Sequence, residues 1–189
     1  IVTLNSSSAT YANTDFYSEL VASVTGVKIG TLTVTYGNVI VATDTAGANP
    51  VTEVKNAGTY YVIVTGTGNF EGTAYATFEV KVRTVEAPEV EIPTVNVNDS
   101  SVYGYIYSGS SQYPTVTTSE YYTIKWYRIN GDNSLTEITA DLANGSKNVG
   151  NYKIVIELNN AANQHGNNIE WAADQTTEFE YSIVAKSIA

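Results

Sequence analysis

A short turn followed at once by an alternating strand occurs twice in this chain, and it constrains the fold more than any other feature. The first copy is Lys55-Asn56-Ala57-Gly58-Thr59-Tyr60, and the second is Lys147-Asn148-Val149-Gly150-Asn151-Tyr152. The copies are offset by 92 residues (147 minus 55), which is about the length of one β-sandwich domain. The sequence therefore predicts two tandem copies of one module within 189 residues.

Alternation of apolar and polar residues predicts half-buried strands in both halves. The inward positions that this pattern predicts in the first half are Leu32, Val34, Tyr36, Tyr60, Val62, Val64, Ala76, Phe78, Val80 and Val82. In the second half, we match Tyr122-Trp126 to Leu32-Tyr36 at an offset of 90, and Phe179-Tyr181 to Phe78-Val80 at an offset of 101. The offset grows by 9 residues (101 minus 92), which predicts a longer hairpin loop within 159–176, because insertions at loop tips cost little entropy.

Composition supports an all-β fold. The chain is rich in Thr, Asn, Ser, Gly and Tyr, the residues of pleated surfaces and tight turns. We expect no helix beyond a single turn at Asp141-Leu142-Ala143-Asn144. We predict two tandem antiparallel β-sandwich domains, residues 1–86 and 87–189, joined by an extended linker at about 84–94. Two prolines and three glutamates between residues 84 and 93 favour a stiff linker.

Charge and the missing residue types limit the possible partners. The net charge is −10, with nine acidic residues before position 95 and ten after it, which argues against nucleic acid and anionic membrane surfaces. Cysteine is absent, so disulfides and thiol catalysis are excluded. No apolar run is long enough to span a bilayer, and we expect no membrane insertion. Because the chain begins at Ile1 and contains no methionine, we expect it to be a segment of a longer protein.

The first module resembles bacterial immunoglobulin-like surface-protein repeats of the MBG/YDG type. The resemblance rests on Asn56-Ala57-Gly58-Thr59-Tyr60-Tyr61-Val62-Ile63-Val64-Thr65-Gly66-Thr67-Gly68-Asn69-Phe70-Glu71-Gly72-Thr73-Ala74 and the final strand Ala76-Thr77-Phe78-Glu79-Val80. It covers about residues 8–83 and extends more weakly over 99–186, where Asn163-Gln164-His165-Gly166 replaces Asn69-Phe70-Glu71-Gly72. The resemblance implies tandem immunoglobulin-like sandwiches in a secreted or wall-attached protein, with roles in display, spacing or adhesion and no catalytic residues.

Aromatic residues are the candidate ligand-binding residues. Tyr103, Tyr105 and Tyr107 alternate and share one strand face, so they form either a stacking platform for sugar rings, a core stripe or a domain contact. Trp171 lies beyond the extended loop. It either stacks on a sugar or a partner side chain, or it covers the edge of a core or the junction between the domains. Trp126, on an alternating strand, is predicted to be a core residue.

Catalytic and metal sites are not predicted. His165 is the only histidine and has no matched partners for a triad. The side chains of four nearby residues could supply oxygens to calcium, but the EF-hand pattern is absent; these residues are Asn163, Asn167, Asn168 and Asp174. Lys125 lies on the strand face opposite Trp126, which predicts solvent exposure rather than an amide cross-link. We therefore expect no enzyme activity, no metal and no cofactor.

The sequence thus predicts a non-catalytic spacer or stalk segment of a larger secreted or cell-surface bacterial protein. Its expected partners are neighbouring repeats of the same parent chain. The alternative is an adhesion module that binds a glycan or a host protein through exposed aromatic residues. Both hypotheses place the protein outside the cell.

Overall fold

A computed structural model describes residues 2–24, 27–29, 32–34, 37–97 and 100–187, and this part of the chain is mostly β, arranged in several sheets. In chain order the elements are β1 (Ser8–Thr10), α1 (Tyr17–Val24), β2 (Val27–Ile29), β3 (Leu32–Val34), β4 (Gly37–Ala42), β5 (Pro50–Val51), β6 (Gly58–Gly66), β7 (Thr73–Lys81), β8 (Arg83–Val85), β9 (Thr94–Val97), β10 (Ser100–Ile106), β11 (Tyr122–Ile129), β12 (Leu135–Glu137), α2 (Leu142–Gly145), β13 (Gly150–Leu158), β14 (Ile169–Trp171) and β15 (Glu178–Val184). Two 3₁₀ turns lie at Thr139–Asp141 and Gly166–Asn168.

The chain divides into two compact units. The first unit comprises Ile1–Arg83 together with Ala161–Glu170, and the second comprises Thr84–Asn160 and Trp171–Ala189. The division after Arg83 falls close to the predicted boundary between modules. The segment Ala161–Glu170 differs from the prediction, because the sequence pattern placed it in the second module and the structure places it in the first unit.

The first unit contains a five-stranded sheet with the strand order β1-β7-β6-β4-β5. The predicted strands around Tyr60 and Phe78 are confirmed as β6 and β7, which pair in antiparallel register. Val62 is fully buried and Phe78 nearly so, as the alternation predicts. Leu32–Val34 is also a strand, but it pairs with β2 in a separate two-stranded hairpin; Tyr36 lies outside the described residues.

Helix α1 is the main departure from the predicted all-β pattern. Asp15 starts it, because one oxygen of its carboxylate accepts the backbone N–H of Tyr17 at 2.9 Å and that of Val54 at 2.8 Å. Such an N-terminal cap satisfies donors that the first helical turn leaves without partners. Leu20 and Val24, four residues apart, bury one stripe of the helix, and α1 packs against β4 and β6. No helix in the described ranges is long and apolar enough to cross a membrane.

The second unit contains a six-stranded sheet with the order β12-β11-β13-β15-β10-β9. The predicted strands of this half are confirmed as β11, β13 and β15, with antiparallel pairing of β13 to both neighbours. The short turn predicted at Asp141-Asn144 is present as α2, preceded by a 3₁₀ turn. Trp126 lies on β11 and is buried, which confirms its prediction as a core residue.

Both units share one order of strands, and each contains one parallel pair of strands. In the first unit the opening strand β1 pairs in parallel with the last sheet strand, β7, and aligns Ala9 with Val80. In the second unit β10 pairs in parallel with β15 and aligns Tyr105 with Ile183. Each pair continues by one backbone bond, from the N–H of Tyr11 to the oxygen of Lys81 and from that of Tyr107 to the oxygen of Val184, both 2.8 Å long.

Registers within the sheets correct two of the sequence matches. Val62 pairs with Val41 on β4, whereas the corresponding residue of the second unit, Ile154, pairs with Trp126 on β11. The counterpart of β11 is therefore β4, and the match of Tyr122-Trp126 to Leu32-Tyr36 is wrong. The strand pairing, which the sequence alone does not show, distinguishes β4 from β3 as the counterpart of β11.

The last strands also correspond differently from the sequence match. Tyr60 pairs with Phe78 and Tyr152 pairs with Tyr181, so the structural counterpart of Phe78 is Tyr181, at an offset of 103 residues (181 minus 78). The predicted offset of 101 is thus wrong by one full side-chain period. The insertion between the last two strands amounts to 11 residues (103 minus 92), and it still lies in the predicted loop.

The repeated turn is held in the same way in both units. The hydroxyl of Tyr60 donates to the backbone oxygen of Asn56 at 2.9 Å, and that of Tyr152 donates to Asn148 at 2.5 Å. Each bond ties the start of a central strand to the turn four residues before it, as in the tyrosine corner of immunoglobulin-like domains. The bond explains why the turn and its tyrosine recur together in the sequence.

Gly104 allows the close approach on which the parallel pair of the second unit depends. A Cβ atom at this position would lie 1.9 Å from the backbone oxygen of Ser182 on β15, and the residue has a φ of +144°. Any other residue would both clash with β15 and strain the backbone. Glycine at this position therefore has a structural reason in the register of β10 against β15.

Candidate functional site

An aromatic cluster fills one side of the sheet in the second unit. Tyr181 lies at its centre, stacked on Tyr152 with ring centroids 5.1 Å apart and edge-on to Tyr105 at 6.0 Å and Trp126 at 6.3 Å. Tyr113 extends the cluster outward and meets Trp126 edge-on at 5.5 Å. These separations are those at which aromatic rings attract one another, so the cluster stabilises the unit beyond the apolar area that it buries.

Strand register explains how these rings come together. Tyr152 and Tyr181 are direct partners across β13 and β15, and Ile154 places Trp126 opposite it on β11. Tyr105 joins them because the parallel pairing aligns it with Ile183, on the same face of β15 as Tyr181. Tyr113 comes from the segment before β11, which has no regular structure, and its side chain is 41% exposed.

The hydroxyl of Tyr181 is an unsatisfied polar group inside this cluster. Tyr181 is 2% exposed, and its hydroxyl is buried without a hydrogen-bond partner among the residues that the structure describes. Burial raises the pKa of Tyr181 well above the ordinary value of 10.0, and the neighbouring phenols of Tyr152, Tyr105 and Tyr113 raise it further. A buried hydroxyl in this state costs stability, because it has lost water and gained no partner.

Two open depressions flank Tyr113 and Thr115, both within the second unit. The larger, of about 500 Å³, is lined by Tyr113, Pro114, Thr115, Val116, Thr118, Ser119, Tyr122, Thr123, Ile124 and Trp126; we call it the aromatic groove. The smaller, of about 380 Å³, is lined by Glu89, Glu91, Tyr105, Tyr113 and Thr115; we call it the acidic depression. The first combines aromatic edges with hydroxyl groups, whereas the second combines aromatic edges with carboxylates.

The structure separates the four aromatic residues that the sequence pattern proposed as a ligand platform. Tyr105 packs on Tyr181 within the cluster, while Tyr103 is 68% exposed and Tyr107 is exposed just after β10. Trp171 is partly buried and meets Tyr122, with centroids 6.0 Å apart. No ring contact joins any two of these four within the described ranges. Of the four, only Tyr105 lines one of the two depressions.

Lys125, which the sequence analysis considered for an amide cross-link, takes part in an ion pair. Lys125 projects from β11 and pairs with Glu157, with its nitrogen 2.7 Å from a carboxylate oxygen, in line with its predicted outward orientation. Across the described residues, no group of three or more His, Cys, Asp or Glu side chains could hold a metal ion.

His165 lies in the first unit, in the loop between β13 and β14, and is buried. Its Nδ1 lies 3.2 Å from the hydroxyl of Tyr11, and the two rings meet edge-on. Nearby, Asn168 accepts the backbone N–H of Ala57 at 2.7 Å and donates to the side chain of Asn56 at 3.0 Å. The segment 161–170 thus caps the repeated turn of the first unit, a role that no local pattern in the sequence indicates.

Tyr113, Glu89 and Glu91 are the candidate site residues that the sequence reasoning missed. Tyr113 precedes Pro114 in a segment without alternation, and both glutamates belong to the stretch that was predicted to be a linker. That stretch instead belongs to the second unit, where the backbone N–H of Ala87 donates to the side chain of Gln175 at 2.8 Å. The one available signal was the density of aromatic residues between positions 103 and 127.

No protein-family model matches this chain, and no curated protein sequence matches it. Function is therefore inferred from the geometry of the described residues.

We expect Tyr181→Phe to raise the free energy of unfolding of the second unit by about 1 kcal/mol, because it removes a buried hydroxyl that has no partner. Tyr152→Phe is the matched control, since it removes a hydroxyl that donates to Asn148, and it should lower the free energy of unfolding by about 1 kcal/mol. Urea denaturation of the full chain, followed by tryptophan fluorescence, measures both changes.

A pH series adds a second test of the same hydroxyl. Because the pKa of Tyr181 is raised in the folded unit, the folded state keeps this proton at pH values at which the unfolded chain loses it. The free energy of unfolding should therefore fall as the pH rises above about 10, and less steeply in Tyr181→Phe. Equal destabilisation by both phenylalanine variants, with unchanged pH dependence, would contradict the assignment of an unpartnered hydroxyl.

Proposed function

We propose that this chain is a non-catalytic spacer segment of a larger secreted or cell-surface bacterial protein, and that it resists tension along its length. One observation carries the proposal: in both units a strand near the start of the unit, β1 or β10, pairs in parallel with the last strand of the sheet. In the first unit β1 is the first strand of its sheet, whereas in the second unit β9 precedes β10 and pairs with it in antiparallel orientation. Neighbouring repeats of the same parent protein would transmit the tension.

Parallel pairing determines how such a force acts on the hydrogen bonds. In the second unit, tension first separates β9 from β10, with which it forms an antiparallel pair. It then draws the start of β10 and the end of β15 in opposite directions along the strand axis, so all bonds between these two strands are loaded together, in shear. An antiparallel hairpin pulled from its open end loses its bonds one after another. The same reasoning applies to β1 and β7. Simultaneous loading requires a larger force, which suits a stalk.

The resemblance to immunoglobulin-like MBG/YDG repeats supports the same role. The tyrosine-to-turn bonds of Tyr60 and Tyr152 and the order of five sheet strands that the two units share agree with tandem immunoglobulin-like domains. Helix α1, which packs on β4 and β6, is a departure from a pure two-sheet sandwich. We propose that both units are variants of that fold and that the parent protein carries them outside the cell.

Single-molecule force spectroscopy on the full chain tests the spacer role. Pulled from its two termini, each unit should unfold in one step at high force. Cysteines at the exposed positions Lys147 and Lys186 would instead load the shared end of β13 and β15, where Gly150 pairs with Ile183, and should open the second unit at clearly lower force. Similar forces in both pulling directions would contradict a load-bearing role for the parallel pair.

A proline variant tests whether one hydrogen bond beside the parallel pair contributes to the mechanical resistance of the second unit. Tyr107→Pro removes the backbone N–H that donates to Val184, a loss of about 1 kcal/mol, and should lower the unfolding force of the second unit only. Tyr107→Ala keeps that N–H and should leave the force nearly unchanged. If the alanine variant weakens the unit as much as proline does, the side chain and not the parallel pair bears the load.

A second candidate function, glycan adhesion, is favoured by the aromatic groove. Its volume of about 500 Å³ lies in the range of small-ligand sites. Aromatic edges from Tyr113, Tyr122 and Trp126 meet the hydroxyls of several threonines and a serine in its lining. Rings that stack on the apolar face of a sugar, beside hydroxyls that bond its edge, would suit a neutral glycan.

A glycan array probed with the full chain tests adhesion. Tyr113→Ala should abolish binding, because this ring forms an exposed wall of the groove. Tyr103→Ala removes an even more exposed tyrosine that does not line the groove, and it should bind as the original chain does. Absence of any glycan signal, or equal loss in both variants, would exclude this candidate.

A further inference from the structure

The repeated turn of the first unit is bound by the segment Ala161–Glu170, which belongs to the same unit. Asn168 of this segment makes both hydrogen bonds. Its side-chain oxygen accepts the backbone N–H of Ala57 at 2.7 Å, and its side-chain nitrogen donates to the side-chain oxygen of Asn56 at 3.0 Å. The segment therefore occupies polar groups at the tip of the turn that would otherwise be bonded to water.

Tyr11 adds an aromatic contact with the same segment. His165 meets Tyr11 edge-on, with the ring centroids 5.9 Å apart, and its Nδ1 lies 3.2 Å from the tyrosine hydroxyl. Both side chains are buried, so this contact excludes water. Asn56, Ala57 and Tyr11 together form what we call the docking surface of the first unit.

The second unit has a residue equivalent to Tyr11. Tyr107 donates its backbone N–H to the oxygen of Val184, the last residue of β15, as Tyr11 donates to Lys81, the last residue of β7. Each tyrosine directly follows the strand that pairs in parallel with the last sheet strand of its unit. Tyr11 is 1% exposed, whereas Tyr107 is 37% exposed. The second tyrosine therefore lacks the cover that the first one has.

The repeated turn of the second unit is exposed as well. Asn148-Val149 corresponds to Asn56-Ala57 by the offset of 92 residues, and the glycine that follows each turn has nearly the same φ, +157° and +153°. Val149 is 47% exposed, and Asn148 is exposed too. Among the described residues, neither the N–H of Val149 nor the side chain of Asn148 has a hydrogen-bond partner. The groups that are bound in the first unit are thus available in the second.

We propose that Tyr107, Asn148 and Val149 form the docking surface of the second unit, and that the next repeat of the parent protein occupies it with a segment equivalent to Ala161–Glu170. The first unit identifies this occupant, because the same groups at equivalent positions bind such a segment there. The inference rests on the proposed function, since it needs a following repeat, and it adds the contact by which one repeat holds the next.

A chain extended by one more repeat tests the proposal. The offset of 103 residues between the last sheet strands makes position 189 equivalent to position 86. A copy of residues 87–189 attached directly after position 189 therefore keeps the spacing between modules. Amide hydrogen exchange followed by NMR should be slow at Ala57 in the original chain, because Asn168 binds its N–H, and fast at Val149. In the extended chain, exchange at Val149 should slow at least about tenfold.

The same substitution, Asn168→Ala, placed separately in the two repeats assigns the effect. In the appended copy it should restore fast exchange at Val149 and leave Ala57 slow, and in the original repeat it should do the reverse. Asn163→Ala in the appended copy is the matched control, because Asn163 is an exposed residue of the same loop without a hydrogen bond among the described residues. This control should leave both amides slow.

A synthetic peptide with the sequence of residues 159–172 gives a second measurement, on the chain without the extra repeat. It should shift the backbone signals of Tyr107 and Val149 in a saturable manner. The Asn168→Ala version of the peptide should bind at least about fivefold more weakly, because it lacks the side chain that bonds to the turn.

Two results would overturn the proposal. The first is fast exchange at Val149 in the extended chain together with no saturable shift by the peptide. The second is slow exchange at Val149 that persists with Asn168→Ala in the appended copy, because another contact would then protect the amide. Neither result affects the force measurements on the chain without the extra repeat, so a failure of this proposal differs from a failure of the spacer role.

Discussion

The parallel pairing of β1 with β7 and of β10 with β15 is the constraint on which both units depend. A parallel pair cannot form between neighbours joined by a tight turn, so the central strands of each sheet lie between its two members in the chain. The pairing fixes which residues of β1 and β10 face the core, and it aligns Ala9 with Val80 and Tyr105 with Ile183. Gly104 is required for the same reason, since its backbone touches β15.

The two units have different side chains at equivalent positions of their parallel pairs. Ala9 and Tyr105 occupy equivalent places beside equivalent strands. In the first unit the small Ala9 leaves room for Phe16, which directly precedes α1 and packs on Phe78, with the ring centroids 5.8 Å apart. In the second unit Tyr105 itself packs on Tyr181, the counterpart of Phe78. The second unit therefore has two tyrosines in contact where the first unit has two phenylalanines, and this difference in side chains distinguishes the two units.

Local patterns in the sequence predicted the central strands, because the turn, its tyrosine and the alternation all lie within a dozen residues. They failed for α1, whose two turns bury only Leu20 and Val24 and whose cap, Asp15, is recognisable only beside Val54. They also could not reveal the site residues. Tyr113 has no periodic neighbours, and the place of Glu89 in the second unit depends on contacts distant in sequence.

Disulfide trapping across the two parallel pairs tests the central claim most directly, because the chain contains no other cysteine. Thr10→Cys with Lys81→Cys joins direct partners of β1 and β7, and Ile106→Cys with Val184→Cys joins the equivalent partners in the second unit. Both pairs should oxidise readily. Thr10→Cys with Thr77→Cys, four residues along β7 and about 13 Å away, should not. Cross-linking of the displaced pair, or of only one of the aligned pairs, would contradict the parallel pairing that we describe in both units.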